Sequence, residues 1–508
     1  MGIKFILLII FFTVMVGVGF YARKHTKSVD DFVLGGRTVG PWLTAFAYGT
    51  SYFSAVVFVG YAGQFGWKYG IASTWIGIGN ALIGSLLAWV VLGRRTRVMS
   101  QHLHSKTMPD FFGERYGSKW LKIAASMIVF IFLIPYTASI YNGLSRLFGM
   151  AFHIPYVVCV IVMAIFTGIY VIVGGYMATA VNDFIQGIIM LVGIVAVIAA
   201  VLSGQGGFME AIRQMSQIES DIAVTAGQPG AFTSFFGPDP WNLLGVVILT
   251  SFGTWGLPQM VHKFYAIRDE KSINTGTVIS TLFAIVVAGG SYFLGGFGRL
   301  FDGSAIRDAS GTVVYDSIIP HMLSSLPDIL IGVVVILVLS ASMSTLSSLV
   351  LTSSSTLTLD FLKGNIIKKM SEKKQIIMMQ VLIIFFIAIS VIIALDPPTF
   401  IAQLMGISWG ALAGAFLAPF LYGLYWKGAT RAAVWASFAA GVGITVFNMF
   451  FHYISSPINA GAIAMVTGLV IVPLVSVVTP KLNKKHIEEV FSCYNEEVVI
   501  TKKRSLEV

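Results

Sequence analysis

Residues 328–357 read DILIGVVVILVLSASMSTLSSLVLTSSSTL. Past Asp328 the stretch carries no charge, and it is long enough to cross a bilayer core, which takes roughly 20 apolar residues. Its second half adds hydroxyls without losing its apolar character. Ala341, Ser344, Thr345 and Ser348 stand at i, i+3, i+4 and i+7, so they share one helical face, with Ser347 beside them. Such a face offers oxygen atoms without a fixed charge. That suits a hard monovalent cation, if the preference of hard cations for oxygen is extended to Na+. Small Ser and Ala residues equally allow close helix packing, with hydroxyls bonded to their own i−4 carbonyls. From these residues alone, both readings stand.

The rest of the chain is written in the same way. Of its 508 residues 56% are apolar and 11% charged, with a mean hydropathy of +0.83, where a soluble protein carries about 25% charged residues. Thirteen stretches qualify as spans, near 3–22, 42–66, 71–92, 122–146, 155–175, 183–203, 241–261, 276–298, 328–357, 376–395, 400–424, 431–452 and 459–479. They predict an all-α polytopic membrane protein with one transmembrane domain over 1–480 and a charged tail over 481–508. The first stretch is read as a permanent span, since no small-residue cleavage site follows it. The two longest outer loops, 204–240 and 299–327, are expected to hold short helices over the outer mouth.

Lys and Arg are retained on the cytoplasmic face. One alternate set of loops, with the tail, holds 27 of the 33 basic residues, among them Lys24, Lys27, Arg37, Lys263, Arg268 and Lys271. The other set has Lys4, Lys68, Arg146, Arg213, Arg299 and Arg307. The split predicts an amino terminus outside and a cytoplasmic carboxyl terminus.

Several functions are excluded. The net charge of +10 lies between apolar runs rather than in a basic groove, so nucleic acid is not the partner. There is no GxxxxGK[ST] phosphate loop for an ATP-driven pump and no HExxH cluster for a metalloprotease. The chain is not read as an enzyme, and no obligatory protein partner is evident. Two cysteines, Cys159 and Cys493, make no disulfide framework. Most acidic residues fall in loops or at span ends, which argues against an intramembrane proton relay. Asp183 is the clearest one at the edge of a span interior.

Two spans are interrupted. Tyr48-Gly49-Thr50-Ser51-Tyr52-Phe53-Ser54 breaks the second with Gly and hydroxyl residues, and Gly253-Thr254-Trp255-Gly256-Leu257-Pro258 breaks the seventh with a proline. They lie five spans apart, as the first members of two successive five-helix groups. Interrupted helices at matching places in two halves point to a transporter's binding site. Freed carbonyls there can hold a cation, and half-helix amino termini favour anionic groups.

Five motifs carry a resemblance. Phe32 to Gly40 is FxLGGRxxG-like, Gly174 to Gly187 reads GGYMATAVNDFIQG, and Gly256 to Gln259 reads GLPQ. The most specific is Ala341-Ser342-Met343-Ser344-Thr345-Leu346-Ser347, supported by GLYWKGAT at Gly423 to Thr430. Over about residues 3–480 the chain resembles the sodium/solute symporter family, with its sodium/proline, sodium/pantothenate and sodium/galactose carriers. The resemblance implies thirteen helices with an inverted repeat of two five-helix units, about 42–203 and 241–424, plus extra helices at 3–22, 431–452 and 459–479.

It also implies a site. Carbonyls of Thr50, Phe53 and Ala341 and hydroxyls of Ser344 and Thr345 would bind Na+, the coupling ion. A possible second sodium site matches Asp183 with Ser344, Ser347 and Ser348, although Asp183 is equally readable as a helix cap. Ser54, Tyr136, Thr254 and Gln403, with Trp255 and Asn80, match the substrate pocket. Proline carriers of the family have an aspartate at the place of Tyr52, which this chain lacks. Organic carboxylates therefore rank first as the solute, amino acids second and sugars third. The implied function is sodium-coupled symport of a small organic solute by alternating access. A proton-coupled carrier, or a channel or solute sensor on this scaffold, is the alternative.

Overall fold

The computed structural model describes residues 2–23, 28–363 and 365–495. Lys24, Lys27, Lys502, Lys503, Arg504 and the tail beyond residue 495 lie outside the described residues. Every regular element among the described residues is helical, and extended pairing is limited to isolated bridges such as Val39 with Ile267. Polar residues at the span edges start the helices. Ser118, Asp239, Asp269, Ser371, Thr430 and Ser456 each accept a first-turn backbone N–H, which satisfies donors that have no partner inside the helix.

Ten helices among the described residues are long and apolar enough to cross a membrane. The pair Pro240–Gly256 and Pro258–Ala266, bent by 45°, makes an eleventh. The chain is a multi-pass membrane protein. The ten helices and the bent pair account for eleven of the thirteen stretches expected from sequence, and the other two differ. The expected 42–66 span is cut at Phe53 and Ser54, so that Pro41–Tyr52 is only 12 residues long. Its second half runs into the next span through a turn at Gly70. There φ is +59°, and a Cβ would stand 2.1 Å from the Phe232 carbonyl oxygen. The expected 155–175 span ends at Gly175, whose φ of 59° and ψ of −154° break the 49-residue helix Tyr156–Gly204 in two.

Burial ranks the helices. In Ile401–Tyr425 94% of the apolar window is buried and in Asp328–Leu362 78%, against 28% in Lys4–Tyr21 and Glu372–Leu395. The serine-rich helix is thus central, and it packs on Pro41–Tyr52, Lys119–Phe152 and Tyr156–Gly204. The two long loops do hold short helices, Phe208–Ser216 and Tyr315–Ser324. Residues of both loops line a polar cavity of about 450 Å³, among them Asp221, Asp239, Arg299 and Tyr315, together with Trp67 and Lys68.

The first part of the tail is not a free extension. Helix Lys484–Ser492 docks on the bundle. His486 Nε2 lies 3.2 Å from the Arg115 carbonyl, His102 Nε2 lies 2.9 Å from the Glu489 carbonyl, and Cys493 is fully buried.

Candidate functional site

The helix from Pro41 ends at Tyr52, and Phe53 is extended at φ −90° and ψ 124°. A helix end leaves carbonyls without intrahelical partners. Here two of them, Thr50 and Phe53, meet the serine-rich helix. Ser344 Oγ lies 3.0 Å from both the Thr50 and Ala341 carbonyl oxygens. Thr345 Oγ1 lies 3.2 Å from Thr50, 3.1 Å from Phe53 and 3.0 Å from Ala341 carbonyl oxygens. All five of these residues are fully buried. The residues named from sequence for a first cation are therefore brought together. A hydroxyl has one proton to donate, so two protons serve five contacts and the carbonyl oxygens keep lone pairs that no proton saturates. Such a cluster is rich in lone pairs, uncharged and closed to water, and a small cation fits its chemistry.

Further along the same face, Ser348 Oγ is 2.8 Å from Ser51 Oγ and accepts a hydrogen bond from Lys263 Nζ at 3.0 Å. Lys263 Nζ also stands 3.8 Å from Asp183 Oδ2. Asp183 is 0% exposed and Lys263 2%. Ser347 turns back to the Ser344 carbonyl at 2.8 Å, one helical turn behind it. Two sequence readings change here. Asp183 lies two turns inside the helix that starts at Gly175, so it does not cap that helix. Lys263, counted from sequence with the loops, is inside the bundle, because the broken span restarts at Pro258 and stays helical to Ala266. The signal was available: a half-helix opening on proline carries a residue five places on well within its second turn.

The second break matches its proline. Helix Pro240–Gly256 stops, Leu257 is extended at φ −86° and ψ 121°, and Pro258 opens the next helix. Around the two breaks, five of the six expected pocket residues are buried, and they are differently engaged. Ser54 Oγ accepts the Val56 N–H at 3.2 Å. Thr254 Oγ1 donates towards the Gly84 and Ser251 carbonyls at 3.1 and 2.9 Å, and Trp255 Nε1 donates to the Ile83 carbonyl at 3.0 Å. Asn80 Oδ1 accepts from Ser251 Oγ at 3.2 Å. Tyr136 packs edge-on against Trp409, ring centroids 5.9 Å apart. Gln403 is half-buried, bonds with Thr399, and has no hydrogen bond to the other five among the described residues.

Other residues join them. Tyr52 packs on the same indole, 5.9 Å between centroids, and Tyr52, Tyr61, Tyr136 and Tyr292 lie near enough to interact electrostatically. Their four phenol oxygens, Asn80 Nδ2 and Trp409 Nε1 are buried with no partner at hydrogen-bond distance among the described residues, although Tyr136 faces Ser54, and Tyr292 faces Asn80 and Tyr52, closely enough to interact. Buried polar atoms are normally satisfied, so a group of orphans between two helix breaks marks a place that a polar solute could complete. Of this group, the sequence offers Tyr136 and Asn80 as pocket residues and Tyr52 as the place of the proline carriers' aspartate.

Buried oxygens pooled by an interrupted helix and a hydroxyl-lined one, inside an all-helical bundle, define the class of broken-helix membrane transporters. The sequence profile of the sodium:solute symporter family matches residues 32–441. The chain belongs to that family. It is a transporter rather than an enzyme, and family membership implies Na+ as the coupling ion. Sodium/proline symporters of Staphylococcus aureus, strains JH9 and COL among them, are 29% identical to it over 499 residues, covering 95% of this chain and 93% of theirs. Among solved structures, a Na+-coupled sialic acid symporter in a substrate-bound outward-open state shares the fold with a TM-score of 0.76 at 16% identity, covering 95% of this chain and 98% of that one. A nucleobase-cation-symport-1 family transporter in a closed conformation follows at a TM-score of 0.53 and 12% identity, covering 90% and 97% of the two chains.

Proposed function

We propose that the chain is a sodium-coupled secondary active symporter that imports a small organic solute, a carboxylate or an amino acid, by alternating access. The observation that carries this reading is the convergence of Thr50, Phe53, Ala341, Ser344 and Thr345 oxygens with fewer protons than contacts. Na+ bound there would tie the first broken helix to the serine-rich one and set the pocket for the solute. Coupling needs only that Na+ favours the solute-competent state, and the reciprocal effect follows by linkage.

The finer architecture belongs to the same proposal. Counting Pro41–Tyr69 and the helix from Tyr156 as spans brings the total to thirteen, and the two breaks then fall at matching places of two five-helix repeats. The uneven distribution of basic residues supports an external amino terminus, a cytoplasmic tail and an outer vestibule at the cavity beside Arg299. Uncharged phenols and amides around Trp409 suit a solute that brings its own charge to the half-helix ends. The sodium/proline relatives strengthen the case for an amino acid. Tyr52, in place of the aspartate of proline carriers, keeps proline itself behind other zwitterions and carboxylates.

The test is uptake into proteoliposomes holding the purified chain, with the solute first found by a thermal-shift screen of carboxylates and amino acids with and without Na+. Saturable uptake that needs an inward Na+ gradient and stops when choline replaces Na+ is expected. Uptake driven in choline by a proton gradient would instead make it a proton-coupled carrier. A non-saturating flux that ignores the gradient would make it a channel.

A further inference from the structure

Asp183 is a fully buried carboxylate, and its oxygens accept no hydrogen bond among the described residues. A buried charge has to be paired. Its counter-charge here is supplied by the chain itself. The Lys263 ammonium stands 3.8 Å from Asp183 Oδ2, donates to Ser348 Oγ at 3.0 Å, and lies 5.2 Å from the centre of the Tyr176 ring. Asp183 and Ser348 are two of the groups that a second sodium ion would use. A third, Ser347, turns its hydroxyl to the Ser344 carbonyl of its own helix at 2.8 Å. A sodium ion entering this spot would meet a like charge within a few ångströms, with one carboxylate to balance two cations.

We propose that Lys263 is a tethered substitute for a second sodium ion, so that the chain binds a single Na+, at the Thr50, Phe53, Ala341, Ser344 and Thr345 cluster. The inference rests on the reading of that cluster as a sodium site. An ammonium fixed to the chain neutralises Asp183 and is not released to the cytoplasm. It therefore adds nothing to the driving force. Lys263 comes from the second half of one broken helix, Asp183 from the helix that starts at Gly175, and Ser348 from the serine-rich helix, so their contact also joins three elements.

The experiment is equilibrium binding of radioactive sodium to the purified full-length chain in detergent, with Na+-dependent thermal shift in parallel. The wild type is expected to bind one Na+ per chain. Lys263→Met should bind two, and the combined Lys263→Met and Asp183→Asn variant should return to one. Lys263→Arg, which keeps the charge, should bind one. Two Na+ per wild-type chain would overturn the proposal and leave the first site intact. A folded Lys263→Met chain still binding one would overturn it as well. No Na+ bound at all would remove the sodium reading itself, and this inference with it. Should Lys263→Met fail to fold, the wild-type count decides alone: one supports the proposal and two removes it.

Discussion

Thr345 gathers more of the ion chemistry than any neighbour, since its one hydroxyl meets three carbonyls. Thr345→Val keeps the shape and removes the oxygen. A hydrogen-bonding contact to a charged group is worth about 1.5–3 kcal/mol, and about 1.4 kcal/mol is tenfold in affinity. The Na+ concentration for half-maximal uptake should therefore rise at least about tenfold in Thr345→Val, while Thr345→Ser stays close to wild type. A sodium titration of uptake at fixed solute checks this. An unchanged half-saturation in Thr345→Val, with only a lower melting temperature, would leave the hydroxyl a packing role. Ser344 and Thr345 could be picked out from sequence because residue type and helical spacing together put oxygens on one face. Lys263 could not, because a lysine near a span end resembles any loop lysine until the restart at Pro258 is seen. Nor could Tyr61 and Tyr292, since buried aromatics in a membrane bundle usually pack, and only phenol oxygens with no partner at hydrogen-bond distance distinguish them, whereas Tyr52 stands out in the sequence as the place of the proline carriers' aspartate.

The break at Pro258 was legible as an element because proline removes a donor and clashes with the turn before it. The break at Phe53 was legible only through the company of Gly49 and the hydroxyls, and its position rests on partners far along the chain. The span count was harder to read, because helices on either side of Gly70 run together as one 47-residue apolar stretch. Close approach between elements was not legible at all. Gly66, on the helix that resumes after the first break, faces Gly295 so tightly that a Cβ at Gly66 would stand 1.9 Å from the Gly295 carbonyl oxygen. The reverse contact is as close, with a Cβ at Gly295 standing 2.2 Å from the Ala62 carbonyl oxygen. Neither obstacle is a side chain that can swing away. Gly66→Ala should force the two helices apart, at the upper end of the 1–3 kcal/mol typical of overpacking or beyond it. A lowered thermal midpoint in detergent and weakened solute-dependent stabilisation are the expected outcome. Gly17→Ala, where a Cβ meets nothing within 4 Å, is the control and should leave both unchanged.

Across the whole molecule, ion count and solute charge combine into one measurable ratio. A tenfold inward Na+ gradient supplies about 1.4 kcal/mol per ion, and 100 mV adds roughly 2.3 kcal/mol per net charge moved. A one-sodium cycle carrying a zwitterion moves one positive charge, so both terms act and the limit is several hundredfold accumulation, on the order of 3.7 kcal/mol. The same cycle carrying a monovalent anion moves no net charge, and only about tenfold remains. With the potential clamped at zero the solute's charge drops out. The final ratio then counts ions: about tenfold for one Na+ and about a hundredfold for two. The tethered ammonium of Lys263 predicts about tenfold under the clamp. Accumulation in proteoliposomes at zero potential, followed by the same measurement at an imposed negative potential, reads the two unknowns separately. A clamped ratio near a hundredfold would mean that a second sodium shares the Asp183 site with Lys263 or displaces it. At about tenfold, a rise with voltage would mark a zwitterion and no rise an anion, so the order of solute classes would follow from the charge the molecule moves.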